Sequence, residues 1–392
     1  MRPVVYLNPE KQHTMRRGHP WIFPKAISKT QGKLKTGEFV DVVDLNTKER
    51  LSLGVYNEHS LYRVRILAQS WEVTTDFTLS KLLAQRFKQA LAVRKALNLP
   101  NQLTNAFRLF NSEADGLSGL TIDYFNQVCV VSSSAYWVEL HKDEITAALK
   151  RIVSCERIIW FAQQKPLKQD GWDVIEEVSR EEFFIDVSEA GIIYKVNFAN
   201  AQKTGLFLDQ RENHERIAHL AHDKRVLDLY TYTGGFALHA AHAGAKHVLA
   251  VDSSAPAISQ AKQNAIKNNL ANVEFIEGDA RDYLSQAHNY DLVILDPPKL
   301  VPSKQHLQRA KNYYRFLHRE LFNVMQSGSL LMTCNCSSAL STAEFVNLIQ
   351  MQALAVQKQV RILGTFGPAS CHPTLPSFPE GNYLTAVLVA IV

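Results

Sequence analysis

The sequence predicts a multidomain α/β protein, and three observations carry that prediction. The chain has 392 residues, more than one hydrophobic core ordinarily serves. Its first 72 residues break into short runs rich in Val, Leu and Tyr, separated by glycines, as in a small β-barrel. Beyond residue 190 strand-like and helix-like runs alternate with regular timing, which implies a parallel sheet covered by helices on both faces.

In residues 1–72 the strand-like runs are "EFVDVVD", "LSLGVYN" and "LYRVRIL", punctuated by Gly18, Gly32, Gly37 and Gly54. A central α/β segment, 73–190, opens on "LSKLLAQRFKQALAVRKAL", whose apolar residues recur at helical spacing. "FRLFNSEADGLSGLTIDYFNQVCVVSSS" reads as strand, turn and strand, with a helix through "VELHKDEITAALKRIV" and a strand at "RIIWFA" after it. Residues 191–392 carry the strands "RVLDLY", "HVLAVD", "VEFIEGD", "DLVILD" and "SLLMTC", with helices such as "FALHAAHAGA" between them. "YLTAVLVAIV" supplies one more buried strand.

Composition excludes several classes. A hydrophobic content of 46% with 21% charged residues suits a soluble globular chain. The N-terminal residues lack the apolar stretch of a signal peptide, and no run is long enough for a membrane span. The five cysteines, Cys129, Cys155, Cys334, Cys336 and Cys371, form no secreted disulfide framework, so a reduced cytoplasmic setting is expected. Net charge is +5, and residues 1–70 hold 12 Lys+Arg against 6 Asp+Glu. A basic face at one end is a footprint for nucleic acid, although an ordinary solvated basic surface gives the same count.

Ligands of such sheets bind at the carboxyl ends of the strands, so the residues there are the candidate ligand contacts. Asp228 ends the first strand, and Gly234-Gly235 stand in the following turn, where a backbone without Cβ atoms can approach a ligand. The turn is not G-x-G-x-x-G, which disfavours a pyrophosphate dinucleotide. Asp252 ends the second strand, where a carboxylate can accept both ribose hydroxyls, and Asp279 ends the third, within reach of an adenine edge. Three acids suit a nucleoside bearing a cation, and S-adenosyl-L-methionine fits that description. Each aspartate read singly is also a good helix N-cap.

The fourth strand ends in Asp296-Pro297-Pro298-Lys299. The prolines fix a rigid turn without backbone donors. Asp296 can hydrogen-bond a ring nitrogen or exocyclic amine of a base, and Lys299 adds charge for a phosphate or an oxyanion. The next strand delivers "TCNCSS" to the same edge. A cysteine there can serve as the nucleophile that pyrimidine carbon-5 methylation requires, adding to carbon 6 so that carbon 5 becomes enamine-like. Buried packing is the commoner fate of cysteine, and no metal site is expected, because Cys/His partners at zinc spacing are missing nearby. Spacing does not choose between Cys334 and Cys336, since period two puts both on one side of a strand.

With these motifs in order, the chain resembles the bacterial class I S-adenosylmethionine-dependent methyltransferases that make 5-methylcytosine in large-subunit ribosomal RNA. The resemblance spans nearly the whole chain. "RRGHPWIFPKAI" and "GVYNEHSLYRVRIL" resemble that family's PUA domain, and "NSEADGLSGLTIDYF" its central α+β domain. "QKTGLFLDQRENH", "LDLYTYTGGFALHAAHAGA", "LDPPKL", "CNCSSALSTAEF" and "HPTLPSFPEGNYL" follow in the family's order. The resemblance implies an N-terminal PUA-like β-barrel over 1–72, a central domain over 73–190 and a Rossmann-like methyltransferase domain over 191–392. It assigns Cys336, followed by Ser337, as the nucleophile and leaves Cys334 to packing. It puts Asp296 on the ring, with Lys299 beside it, and Asp228, Gly234, Asp252, Asp279 and Asp296 around S-adenosyl-L-methionine. Phe207 and Arg211 lie near cofactor or substrate on the same reading.

Other RNA cytosine methyltransferases carry a second cysteine after the Pro of the fourth-strand motif; here Pro298 and Lys299 occupy that place. The expected partners are large-subunit rRNA, free or in an early assembly intermediate, and a second copy in a homodimer, with no membrane. Two other readings stand beside this one. A guanine-nitrogen methyltransferase needs no cysteine, and a non-catalytic RNA-binding protein would need only the fold and the basic end.

Overall fold

The computed structural model describes residues 2–174, 183–198, 206–300 and 307–392. They form two compact units. The first comprises residues 1–101, 105–179 and 371–381, and the second residues 102–104, 180–370 and 382–392.

In the first unit, strands β1 (Val4–Leu7), β2 (Trp21–Ile22), β3 (Ile27–Gln31), β4 (Phe39–Asp44), β5 (Arg50–Tyr56) and β6 (Val64–Gln69) form one sheet in the order β2-β6-β5-β4-β1-β3. A short helix, α1 (His13–Arg16), follows β1. The sheet curls about Val5, Leu7, Met15, Ile22, Val40, Val42, Leu51, Val64 and Ile66. The alternation of β4 supplies Val40 and Val42 to that core, while its Asp41 faces Arg2 and Arg50.

Helix α2 (Leu79–Ala96) follows, with Thr78 accepting the Lys81 N–H as its N-cap. Strands β7 (Ala106–Asn111), β8 (Leu120–Phe125), β9 (Val128–Ser133) and β10 (Arg157–Ala162) make a second sheet in the order β10-β9-β8-β7. The expected strand–turn–strand therefore holds a third strand, because Asn126 and Gln127 both take positive φ and turn the chain tightly. The expected single helix is two, α3 (Tyr136–Leu140) and α4 (Lys142–Ile152), broken at the non-helical His141 (φ −110°, ψ 26°). A short α5 (Gln164–Gln169) follows β10. The segment Cys371–Gly381 also packs here. Fully buried Arg94 donates to the Cys371 carbonyl at 2.8 Å, and Asn111 Nδ2 donates to that of Pro373 at 2.8 Å.

The second unit opens on an antiparallel hairpin, β11 (Phe184–Glu189) and β12 (Ile192–Asn197), and on helix α6 (Arg211–Ala221). Its main sheet is built from β13 (Arg225–Leu229), β14 (His247–Asp252), β15 (Val273–Glu277), β16 (Leu292–Leu295), β17 (Leu330–Asn335), β18 (Val360–Phe366) and β19 (Thr385–Ile391). Their order is β15-β14-β13-β16-β17-β19-β18. The expected parallel sheet is parallel as far as β17, but β19 runs antiparallel to both its neighbours.

Helices α7 (Gly235–His242) and α8 (Ala255–Lys267) pack with α6 and β12 on one face. Helices α9 (Leu307–Val324) and α10 (Thr342–Ala355) cover the other, through Tyr314, Leu317, Leu321, Phe345 and Ile349. The strand order reverses between β13 and β16, so the crevice of this doubly wound sheet opens between the ends of those two strands. Among the described residues no helix is long and apolar enough to cross a membrane.

Candidate active site

Strand β13 delivers Asp228 to that crevice in full burial. The chain then turns through Tyr230 (φ +67°), Tyr232 (φ +52°) and Gly234 (φ +91°) before α7 begins. Left-handed tyrosines are costly and persist where surrounding contacts hold them. Here Asp252 Oδ2 accepts the Tyr232 N–H at 2.9 Å, and the Tyr230 hydroxyl meets that of Tyr313 at 2.9 Å. Asp228 Oδ2 accepts from Thr231 Oγ1 at 2.6 Å and from the Ala237 N–H at 3.1 Å, serving the first turn of α7 from a neighbouring strand. Its Oδ1 is buried with no hydrogen-bond partner. Burial pushes the Asp228 carboxyl up to about 6.

Asp252 ends β14, and its Oδ1 accepts the Ser254 N–H at 2.9 Å. Asp279 lies two residues past the end of β15, not on the strand. It caps the following 3-10 turn by accepting the Arg281 N–H and pairs with the Arg281 guanidinium. The capping role open to each aspartate is thus taken in full by Asp279 and in part by Asp228.

Asp296 follows β16 and faces two ways. Oδ2 accepts from Gln210 Nε2 at 2.9 Å, and Oδ1 lies 3.8 Å from Cys336 Sγ. Gln210 is buried and oriented, because its Oε1 accepts from Asn213 Nδ2 at 2.6 Å. Burial, and next the charge of Asp209, raise the Asp296 carboxyl to about 7, against the pull of the Gln210 hydrogen bond. Burial and the facing Asp296 push the Cys336 thiol well above the usual thiol range. Lys299 is exposed, and its charge acts on Cys336 in the opposite sense.

The two cysteines separate cleanly. Cys334 sits in the ladder opposite Ala386 and is fully buried, its carbonyl accepting from the Tyr314 hydroxyl at 3.2 Å. Below it His318, held neutral by burial with a pKa of about 4, joins Thr333 Oγ1 at 3.0 Å. The ladder stops at Asn335, whose Nδ2 donates to the carbonyls of Ser337 and Leu340 and bends the chain. Cys336 leaves the sheet at that bend, partly exposed beside Asp296.

Phe207 is 41% exposed and packs edge-on against Tyr232, 5.1 Å between ring centres. Arg211 is buried and bonded to Glu212 and Glu215 of its own helix. Sequence reasoning missed Gln210, Asn213 and Asp209. Neutral amides carry no periodicity or charge signal, Asp209 stands in a turn away from any strand end, and only the quoted "FLDQRENH" stretch pointed near them.

A nucleoside bearing a cation fits this edge. The orphaned Asp228 Oδ1 is a buried acceptor awaiting a donor. At Gly235 a Cβ would come within 2.6 Å of the His214 ring, so the turn has no room for a larger residue. The doubly wound sheet with a reversed last strand, its acids and its tight glycine turn define a class I methyltransferase fold.

Comparison with known proteins gives the same class and narrows it. Residues 120–359 match the S-adenosylmethionine-dependent methyltransferase family, and residues 5–69 match a PUA-like domain. A protein named ribosomal RNA large subunit methyltransferase I, from Alteromonas mediterranea, is 34% identical over 100% of this chain and 99% of its own length. Another of that name, from Tolumonas auensis, is 33% identical over 100% of both chains. The crystal structure of SMU.776, assigned as a methyltransferase and complexed with SAH, superposes with a TM-score of 0.82 at 20% identity, covering 99% of this chain and 100% of its own. A second structure, from Streptococcus mutans, gives 0.80 at 21%, with the same coverage. The chain belongs to the S-adenosylmethionine-dependent methyltransferases with an N-terminal PUA-like domain, the family that includes those relatives, and its cofactor is S-adenosyl-L-methionine.

Proposed function

We propose that this protein methylates carbon 5 of a cytosine in large-subunit ribosomal RNA through a covalent bond to Cys336. The reading rests above all on one observation, Cys336 Sγ standing 3.8 Å from Asp296 Oδ1 at adjacent strand ends. The names of the relatives support the RNA and the subunit.

S-adenosyl-L-methionine supplies an electrophilic methyl group when bound. Around it we assign Asp252 to the ribose hydroxyls, Asp279 to the adenine edge and the Gly234–Gly235 backbone to close approach. Asp228 and Asp296 face the cationic end, and Phe207 and Arg211 border the cofactor and substrate. Asp252 carries one backbone hydrogen bond on each oxygen, and a carboxylate has lone pairs to spare for two more.

Cys336 begins as a thiol. Its proton passes to Asp296 as the sulfur lone pair bonds carbon 6, and Asp296 passes that proton to ring nitrogen 3 as the ring electrons arrive there. Carbon 5, now enamine-like, takes the methyl group. Nitrogen 3 returns its proton, a base removes the carbon-5 proton, and the C–S electron pair leaves with Cys336. A carboxyl with a pKa of about 7 can accept and donate with little penalty at neutral pH. Exposed Lys299 adds positive charge at the mouth of the site.

RNA reaches the PUA-like domain through exposed Lys25, Lys29, Lys33 and Lys35 on and around β3. The target base must unstack to meet Cys336, which favours free RNA or an early assembly intermediate as substrate, in the cytoplasm. The test is nucleoside mass analysis of large-subunit rRNA from cells with and without this protein. One 5-methylcytosine should be lost without it and restored by the wild-type chain but not by Cys336→Ala. Loss of a methylguanosine instead would overturn the assignment.

A further inference from the structure

Beneath the cofactor turn lies a cluster that the reaction does not use. Glu189 at the end of β11, His214 on α6 and His239 on α7 are 1%, 6% and 3% exposed. His214 Nδ1 lies 2.7 Å and His239 Nε2 3.3 Å from Glu189 Oε1. The three ligand-type atoms all lie within 4.8 Å of one another. The two imidazoles stack with centres 5.3 Å apart.

Hydrogen bonding within the protein leaves this cluster incomplete. Glu189 Oε2 is buried with no hydrogen-bond partner, and so is the hydroxyl of Tyr194, a fully buried residue on the facing strand β12, while His239 Nε2 has only its 3.3 Å contact with Glu189 Oε1. Unpaired buried polar atoms are scarce in folded proteins, so two in one cluster ask for a common partner. Two imidazoles and a carboxylate are the donor set of zinc and similar borderline divalent cations. Donors about 2.1 Å from a tetrahedral ion stand roughly 3.4 Å apart, close to the spacing already present.

We infer that Glu189, His214 and His239 form a buried binding site for a divalent transition-metal cation such as Zn²⁺, with the Tyr194 hydroxyl or a water as fourth donor. The site is structural. It would tie β11, α6 and α7 together and hold the His214 ring against Gly235, whose added Cβ would meet that ring at 2.6 Å. The ligands come from three separate elements, far apart in sequence, which is why no Cys/His spacing announces them.

The test uses the full chain, purified without a metal-affinity tag, stripped with chelator and titrated with Co²⁺. The expected result is one equivalent bound, with the visible d–d absorption of a nitrogen/oxygen site and without thiolate-to-cobalt charge transfer. Zn²⁺ should displace it and raise the melting temperature. His239→Ser and His214→Asn should each weaken metal binding at least tenfold, and Cys336→Ala should leave it unchanged. X-ray absorption of the Zn²⁺-loaded wild-type chain should count two imidazoles and no sulfur, a readout independent of how the variants fold. Absence of stoichiometric Co²⁺ uptake, a sulfur-ligated spectrum, or uptake unaltered in a folded His239→Ser variant would each overturn the inference.

Discussion

Cys336 Sγ faces Asp296 Oδ1 across 3.8 Å, each residue standing just past the end of one of two neighbouring parallel strands. Burial and then the charge of Asp209 raise the proton affinity of Asp296, burial and then Asp296 raise that of Cys336, and Gln210 steadies the carboxylate from its far side. A thiol and a carboxyl in this relation can exchange one proton while the sulfur turns nucleophile.

Gln210 acts through Asp296. Its hydrogen bond favours the ionised carboxyl, so Gln210→Ala should raise the Asp296 pKa further above about 7. The proton acceptor is the ionised form, so the ascending limb of the single-turnover pH profile should move to higher pH. The rate at pH 7 should fall by roughly 10–100-fold, as for a lost charge-assisted hydrogen bond. An equal loss at every pH would assign Gln210 to folding alone.

Stability should carry the opposite sign. Asp296 titrates near 7 when folded and near 3.8 when unfolded, so its contribution is fully present below pH 3.8 and fades as pH rises through 7. Asp228, near 6, acts in the same direction. Asp296→Asn keeps an acceptor for Gln210 and removes the buried charge. Urea unfolding of the cofactor-free chain should find the variant gaining on wild type by roughly 2–3 kcal/mol between pH 5 and pH 8. A gap that does not change with pH would contradict the account.

Gly235→Ala would drive a Cβ into the His214 ring, which Glu189 holds at 2.7 Å and which cannot easily yield. The expected cost is about 1–3 kcal/mol, and calorimetry should find S-adenosylmethionine binding weakened at least tenfold. Binding at wild-type affinity would mean the turn is looser than its geometry indicates.

Each of Lys25, Lys29, Lys33 and Lys35 changed to Ala should weaken RNA binding without altering the modified nucleoside. A contact to phosphate should reduce the slope of log affinity against log salt by roughly 1. An unchanged slope in all four variants would move the RNA path elsewhere.

Much of this was legible in the sequence. The βαβ rhythm announced the doubly wound sheet, and the acids at the strand ends and the glycine pair marked its crevice. What stayed hidden depended on side chains meeting from distant elements. Period two could not separate Cys334 from Cys336; the separation comes from Asn335, which bends the strand by capturing two carbonyls. Gln210 is a neutral amide whose importance appears only beside Asp296. Glu189, His214 and His239 gather on three elements with no shared motif. The antiparallel placement of β19 was equally hidden, because a buried strand has the same apolar run in either direction.

The central claim is the covalent bond between Cys336 and the target cytosine. Its most direct test is to present RNA carrying 5-fluorocytosine at the target position with S-adenosylmethionine, then map the product by peptide mass spectrometry. Fluorine cannot leave as a proton does, so the adduct should persist. The account predicts RNA fixed to the Cys336 peptide, retained in Cys334→Ala and lost in Cys336→Ala. Methylation of the natural RNA with no adduct on the fluorinated one, or an adduct on Cys334, would contradict it.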